Sequence, residues 1–176
     1  MNHEILICGF GGQGILFAGK LLAYGGMEAG ANISWLPSYG PEMRGGTANC
    51  SVIISDASVG SPIVNKPNLL IAMNLPSYDK FEPAVQPGGK AFVDSSLITR
   101  KAARADVETF YIPATQMAAD RGLTGLANMI MVGKFIRETA AVDYARIRDC
   151  MAKVVPERKK DLFEKNLEAV ALGYDY

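Results

Sequence analysis

Short apolar runs alternate with longer helical stretches through the first two thirds of this chain, and the rhythm turns helical after Pro113. Ile5-Leu6-Ile7-Cys8 is a strand-like run that enters the turn Gly9-Phe10-Gly11-Gly12-Gln13-Gly14, and Ile15 to Ala29 follows as a long helix. Ala31 to Leu36 predicts a second strand, broken by Pro37. Ala48 to Ser55 (ANCSVIIS) predicts a third, rich in β-branched residues and closed by the turn signal Asp56-Ala57-Ser58. Pro62 and Pro67 frame the connection to Leu69-Leu70-Ile71-Ala72-Met73, whose unbroken apolarity suits the middle of a sheet covered on both faces. Leu75 to Val85 predicts a short helix with Pro76 in its first turn. Pro87-Gly88-Gly89 then turns into a strand from Lys90 to Asp94, and Val107 to Ile112 is a further strand stopped by Pro113.

From Ala114 onward the pattern is helical. Leu123 to Thr139 is apolar on nearly every face, which marks a helix buried in the core or against another subunit. Asp143 to Val154 predicts another helix. Pro156 and Glu157 open the last, in which Phe163, Leu167 and Val170 share one face, with Gly173 expected at its end. The alternation defines an α/β fold of Rossmann-like kind: a mostly parallel sheet with helices on both faces and a helical C-terminal part. Neither a repeat nor an interdomain linker is visible, so residues 1–176 are expected to form one domain.

Composition narrows the function classes. Lys and Arg together number 18, as do Asp and Glu, so no basic surface points to nucleic acid. The same neutrality leaves little self-repulsion, which fits either an ordinary globular protein or one that buries a face against a partner. Cys8, Cys50 and Cys150 are widely spaced and form no C-x-x-C pair, so this chain alone offers no zinc ribbon and no iron–sulfur ligand set. Cys8 and Cys50 read as small core residues. The absence of a cationic leader, of an apolar run of membrane-spanning length and of a disulfide pattern leads us to expect a cytoplasmic protein with no membrane contact.

Gly9, Gly11 and Gly14 satisfy G-x-G-x-x-G between a strand and a helix, which is the setting in which that spacing carries meaning. Glycines let the backbone turn sharply and let a ligand approach its N–H groups, and the following helix presents unpaired donors to an anion. The acidic residue that would hold a ribose hydroxyl at the end of the second strand is missing, since Trp35-Leu36-Pro37 stands there. No G-K-[ST] follows, so a P-loop is excluded. A stand-alone Rossmann-like nucleotide-binding module or dehydrogenase remains the alternative reading. His3, the only histidine, is expected to be a solvated terminal residue rather than a general base, and no triad or paired-carboxylate site can be assembled.

A second glycine cluster, Ser38-Tyr39-Gly40-Pro41-Glu42-Met43-Arg44-Gly45-Gly46-Thr47-Ala48, follows the second strand. With Gly9-Phe10-Gly11-Gly12-Gln13-Gly14, then Asn74-Leu75-Pro76-Ser77-Tyr78 and Gly88-Gly89 before Phe92-Val93-Asp94-Ser95-Ser96, it resembles the gamma subunit of 2-oxoacid:ferredoxin oxidoreductases. The likeness runs from Glu4 to the last helix. It is strongest to the 2-oxoglutarate type, with the pyruvate, branched-chain (ketoisovalerate) and indolepyruvate types as close relatives.

The resemblance implies a division of labour. Alpha and beta subunits would hold thiamine diphosphate with Mg, and iron–sulfur clusters would sit on the beta chain or on a ferredoxin-like delta chain. The complex would decarboxylate a 2-oxoacid, pass electrons to ferredoxin and release an acyl-CoA, while the gamma domain packs on that core near the entry of coenzyme A. The isolated chain would be inactive, with no catalytic residue, metal or cofactor of its own.

In physical terms, Gly11, Gly12, Gln13 and Gly14 and the turn of Arg44, Gly45 and Gly46 would form adjoining walls at the strand ends. Their backbone N–H groups suit the phosphates of coenzyme A, with Arg44 adding a bidentate contact to a phosphate or to a partner's carboxylate. Gln13 could bond ligand or subunit, and Glu42 would orient Arg44 or a loop backbone rather than act as an acid. The competing reading is that the glycines only permit close helix–strand and subunit packing. Lys20 reads as a solvated helix face, Asn74 and Asp94 as caps at the ligand edge, and Tyr39 as an interface or core aromatic.

Overall fold

The computed structural model describes residues 2–38 and 47–176. Six strands form one sheet in the order β2-β3-β1-β4-β5-β6. They are β1 (Asn2–Phe10), β2 (Asn32–Ser38), β3 (Thr47–Ser55), β4 (Leu69–Ala72), β5 (Lys90–Asp94) and β6 (Glu108–Ile112). The pairs β1–β4, β4–β5 and β5–β6 are parallel, whereas β3 runs antiparallel to both β1 and β2. Five strands therefore point one way and β3 alone points back, so the sheet is mostly parallel.

Alternate residues of the strands face two separate cores. Ile5, Ile7, Cys50, Val52, Ile54, Ile71 and Phe92 face the larger one, which is covered by α1 (Ile15–Glu28), α3 (Ala114–Asp120), α4 (Ala127–Thr139), α5 (Ile147–Val154) and α6 (Phe163–Tyr174). Leu6, Cys8, Leu70, Ala72, Ala91 and Val93 face the smaller, where Tyr78 of α2 (Leu75–Phe81) closes over them. The all-apolar β4 is buried at every position because it lies mid-sheet with both faces covered. Phe92 is fully buried between Phe110, stacked at 5.0 Å, and Phe135, edge-on at 5.2 Å. Truncating such a ring removes about 3–5 kcal/mol.

Several boundaries differ from those the pattern predicts, each for a physical reason. Pro37 does not break β2, which runs on to Ser38 with Pro37 opposite Cys50. As an edge strand, β2 tolerates a residue without an N–H. The segment Leu75 to Val85 is helical only to Phe81 and tightens to a 3-10 turn over Glu82–Ala84, where Pro83 enters. The helix expected from Leu123 starts at Ala127, since Gly122 and Gly125 hold positive φ of 67° and 87° before it.

Gly173 does not end the last helix but lies inside α6. A Cβ there would stand 1.8 Å from the carbonyl oxygen of Ile130, and one on Gly133 would stand 2.0 Å from that of Val170. The two glycines let α4 and α6 touch backbone to backbone. His3 is paired with Ile54 inside β1 and is partly buried rather than solvated. It sits at the end of the strand opposite the glycine turn, and burial lowers its pKa.

Candidate functional site at the end of the first strand

The carboxyl ends of β1, β4, β5 and β6 share one edge of the sheet. From β1 the chain passes into α1 on the larger core, and from β4 into α2 on the smaller one. The chain therefore departs to opposite faces between β1 and β4, which is where open α/β sheets leave a crevice for ligands. The glycine turn occupies that point. Gly12 has φ of +92° and Gly14, the N-cap of α1, has φ of +73°, both of which disfavour a side chain.

Gln13 fastens the turn across the crevice. Its Oε1 accepts from the Phe10 N–H at 2.6 Å, and its Nε2 donates to the Met73 carbonyl at 3.0 Å. The Gln13 backbone N–H closes the turn onto the Phe10 carbonyl at 3.3 Å. Both ends of this side chain are thus bonded within the chain. Gly14 is braced from the other side, where Asn128 Nδ2 donates to its carbonyl at 3.1 Å. Asn128 is 4% exposed, and its Oδ1 is buried with no partner.

No side chain caps the start of α1, and its first turn holds no acidic residue. The first N–H groups of a helix have no intrahelical acceptor, so this 14-residue helix presents free donors and a partly positive end. A hollow of about 250 Å³ lies against them, lined by Gly11, Gly12, Gly14, Phe17 and Ala48 among others. Of the predicted site residues, Gly11, Gly12, Gln13 and Gly14 are brought together here. Arg44, Gly45 and Gly46, with Tyr39 and Glu42, lie outside the described residues.

The neighbouring polar residues act as caps. Asn74 Oδ1 accepts from the Ser77 N–H at 2.9 Å and starts α2. Asp94, fully buried, accepts from the N–H groups of Ser96 and Thr115 at 3.1 and 3.3 Å and from the Thr115 hydroxyl at 2.5 Å. It ties β5 to the start of α3. Cys8 and Cys50 are fully buried, and burial pushes the Cys50 thiol up to about 12 and raises that of Cys8 as well. Neither is poised as a thiolate. Among the described residues no cluster of three His, Cys, Asp or Glu side chains could hold a metal, and no helix is long and apolar enough to cross a membrane.

Asn128 was not singled out by the sequence pattern, which shows only an apolar helix around it. An amide within the otherwise apolar run of residues 127–133 was the one available signal. The strand order also bears on the dehydrogenase alternative. In a dinucleotide fold the parallel strand beside β1 supplies the ribose-binding acid. Here the antiparallel β3 takes that place, and β2 at the edge carries no acid.

Fold and turn together define an α/β domain with a glycine-walled, anion-accepting strand end. The match to known proteins makes this specific. Residues 4–176 match the family described as pyruvate ferredoxin/flavodoxin oxidoreductase, and the chain belongs to that family. It is 37% identical to the 2-oxoglutarate synthase subunit KorC of Methanocaldococcus jannaschii, over 99% of this chain and 94% of that one. It is 36% identical to the ketoisovalerate oxidoreductase subunit VorA of Methanothermobacter thermautotrophicus, over 98% of this chain. That match spans only 36% of VorA, so the chain corresponds to about a third of that relative. Among solved structures, the gamma subunit of a keto/oxoacid ferredoxin oxidoreductase from Geobacter sulfurreducens superposes with a TM-score of 0.84 at 28% identity, covering 98% of this chain and 96% of that one.

Proposed function

We propose that this chain is the gamma subunit of a multi-subunit 2-oxoacid:ferredoxin oxidoreductase of the 2-oxoglutarate type. The observation that carries the reading is the nearly end-to-end match with KorC, a protein of the same extent, at 37% identity. On this reading the complex converts a 2-oxoacid and coenzyme A to acyl-CoA and CO2, and its electrons leave to ferredoxin. Thiamine diphosphate with Mg and the iron–sulfur clusters belong to alpha, beta or delta partners, where thiamine supplies the carbanion chemistry of decarboxylation. This chain's part is to bind and orient.

Gly11, Gly12 and Gly14 offer backbone donors at a helix start, the chemistry a diphosphate requires. Gln13 holds those donors in register by bonding to Phe10 and Met73. Arg44, Gly45 and Gly46, which lie outside the described residues, complete the proposed set of coenzyme A contacts. Partner contact at this edge is supported by Phe10 and Leu97, large apolar side chains that are 41% and 44% exposed at the ends of β1 and β5.

The test is affinity capture of the chain from its native cytosol, with the eluate assayed for coenzyme A-dependent dye reduction by 2-oxoglutarate and then by pyruvate. Recovery of thiamine-containing, iron–sulfur partners with that activity is the expected result, and the preferred oxoacid identifies the type. Recovery of the chain alone from cells that contain the activity would overturn the reading.

A further inference from the structure

One edge of the sheet is β2, and the bonding of the inner strands fixes which groups that edge presents. The Asn68 N–H donates to the Glu4 carbonyl at 3.0 Å, and the Met73 N–H to the Cys8 carbonyl at 2.9 Å. Backbone groups alternate sides along a strand, so the even residues of β1 turn theirs to β4 and the odd residues to β3. Ile5 and Ile7 lie opposite Val52 and Cys50, which therefore face β1, while Ser51 and Ile53 face β2. Leu36 and Ser34, opposite these two, are bonded to β3. Ile33, Trp35 and Pro37 are left pointing outward, and among the described residues no strand lies beyond them. Pro37, with no N–H to give, stands in the phase of β2 from which β3 needs none.

Native edge strands are kept from pairing by charged side chains, bulges or a covering segment. Residues 32–38 (NISWLPS) carry no charge, and Leu36 is 38% exposed. Met27, 50% exposed, stands in the last turn of α1, beside the Gly26 that packs on Ile33. The opposite edge, β6, is shorter and opens on Glu108, which is ion-paired to Lys90.

A strand that fits this edge is β2 itself, turned over on a two-fold axis at Ser34. Antiparallel pairing about Ser34 sets Ile33 against Trp35 of the second copy. Each of these residues then gives its N–H and accepts at its carbonyl, so every outward N–H of both strands is bonded and both Pro37 residues fall outside the bonded pairs. Moving the axis to Trp35 would put Pro37 against Ile33 and leave the Ile33 carbonyl without a donor. The Ser34 axis also places an aromatic beside a β-branched side chain twice, which is a favoured cross-strand pair. No like charges meet, and a chain of net charge zero does not repel its copy.

We propose that this chain pairs with a second copy of itself through β2, antiparallel about Ser34, joining the two six-stranded sheets into one. The pairing does not depend on the function proposed above, and it is read from assembly rather than from catalysis.

The test is analytical ultracentrifugation of the full-length chain over about 1 µM to 1 mM, with the emission of Trp35, the only tryptophan, followed over the same range. A dimer is expected, with the emission changing along the same isotherm. Ser34→Lys and Ser34→Glu each set like charges face to face at the axis and are expected to weaken the dimer by roughly tenfold or more. Mixing the two variants is expected to restore it as a heterodimer. Ser34 is partly exposed, so both variants should keep the far-UV spectrum of the parent. In the captured complex, Ser34→Cys is expected to form a disulfide between two copies under mild oxidant, because residues opposed without hydrogen bonds lie about 4.5 Å apart at Cα. Cys8, Cys50 and Cys150 are buried and do not compete.

That disulfide in the complex alone also supports the pairing, since the other subunits then supply the local concentration. A chain monomeric throughout, with no Ser34→Cys dimer in the complex, overturns it. So does a dimer that survives both charged variants, because its interface then lies elsewhere, and so does a mixture of the two variants that stays monomeric. Protection of the Ile33 and Trp35 amides from hydrogen exchange in the complex, without the disulfide, gives the edge to another subunit. The pairing then fails while the subunit reading survives. A complex with no coenzyme A-dependent activity would overturn that reading alone.

Discussion

The side-chain amide of Gln13 donates to the backbone carbonyl of Met73 at 3.0 Å, joining the turn after β1 to the end of β4 across the crevice between them. The bond links residues far apart in sequence and holds the glycine turn at one distance from the neighbouring strand. Its loss leaves the Met73 carbonyl and the Phe10 N–H without their partner. Gln13→Ala is expected to destabilise the chain by about 1–3 kcal/mol, read as a lowered denaturant midpoint, and to weaken binding of a diphosphate ligand. Unchanged stability would show that water replaces the amide and that the turn holds itself.

The contact between α4 and α6 rests on two glycines. Gly173→Ala places a methyl group on the backbone of Ile130, and Gly133→Ala does the same against Val170. Each is expected to force the helices apart at a loss of about 1–3 kcal/mol or more. The double variant should lose less than the sum of the two, because the first separation makes room for the second methyl. Thermal melts of the three variants check this.

A buried charge organises the smaller core. Glu82, 3% exposed, accepts from the Tyr78 hydroxyl at 3.1 Å and the Ala103 N–H at 2.7 Å and pairs with Arg100 at 2.8 Å. Arg100 in turn lies 4.5 Å from the Tyr78 ring centroid and bonds Asp79 at 2.8 Å. Glu82→Ala strands these donors and is expected to cost on the order of 3 kcal/mol, whereas Glu82→Gln keeps an acceptor and should cost less. Chemical denaturation of both variants separates lost hydrogen bonding from lost charge.

His3 makes stability depend on pH in a stated direction. Burial holds its pKa below the ordinary 6.5, so the unfolded chain binds its proton more readily. The stability this residue permits is complete above 6.5 and is lost as the pH falls toward the lowered value. His3→Asn is expected to flatten the fall in stability below pH 6.5. A profile unchanged by the substitution would place the acid-sensitive groups elsewhere.

The thiols of Cys8 and Cys50 are expected to resist alkylation in the folded chain at pH 8, since both are fully buried and burial raises their pKa values. Labelling with iodoacetamide should follow the rate of unfolding. Rapid modification in the absence of denaturant would contradict the packing of β1 against β3.

Much of the layout was legible in the residues. The apolar run Leu69–Met73 marked a strand covered on both faces, and the glycines before Ile15 marked a strand–turn–helix unit. The resemblance carried by Gly9–Gly14 and Ser38–Ala48 named the family to which the chain belongs. These features depend on local physics: side-chain periodicity reports which faces are buried, and glycine spacing reports where a backbone must turn. The role of Gly173 was misread for a related reason, since a glycine near a helix end looks the same whether it stops the helix or faces another helix.

The sequence by itself determined the two periodicities, the placement of the glycine turn at the mouth of a helix and the absence of a ribose-binding acid after the second strand. Only the tertiary structure decided that β3 runs backward between β2 and β1, because alternation of side chains is identical for either strand direction. It also decided the partners of Gln13 and Asn128, which lie 60 and 114 residues away. Hydrogen bonds of that reach are set by how the cores pack, and the pattern along a chain carries no record of which distant carbonyl an amide will meet.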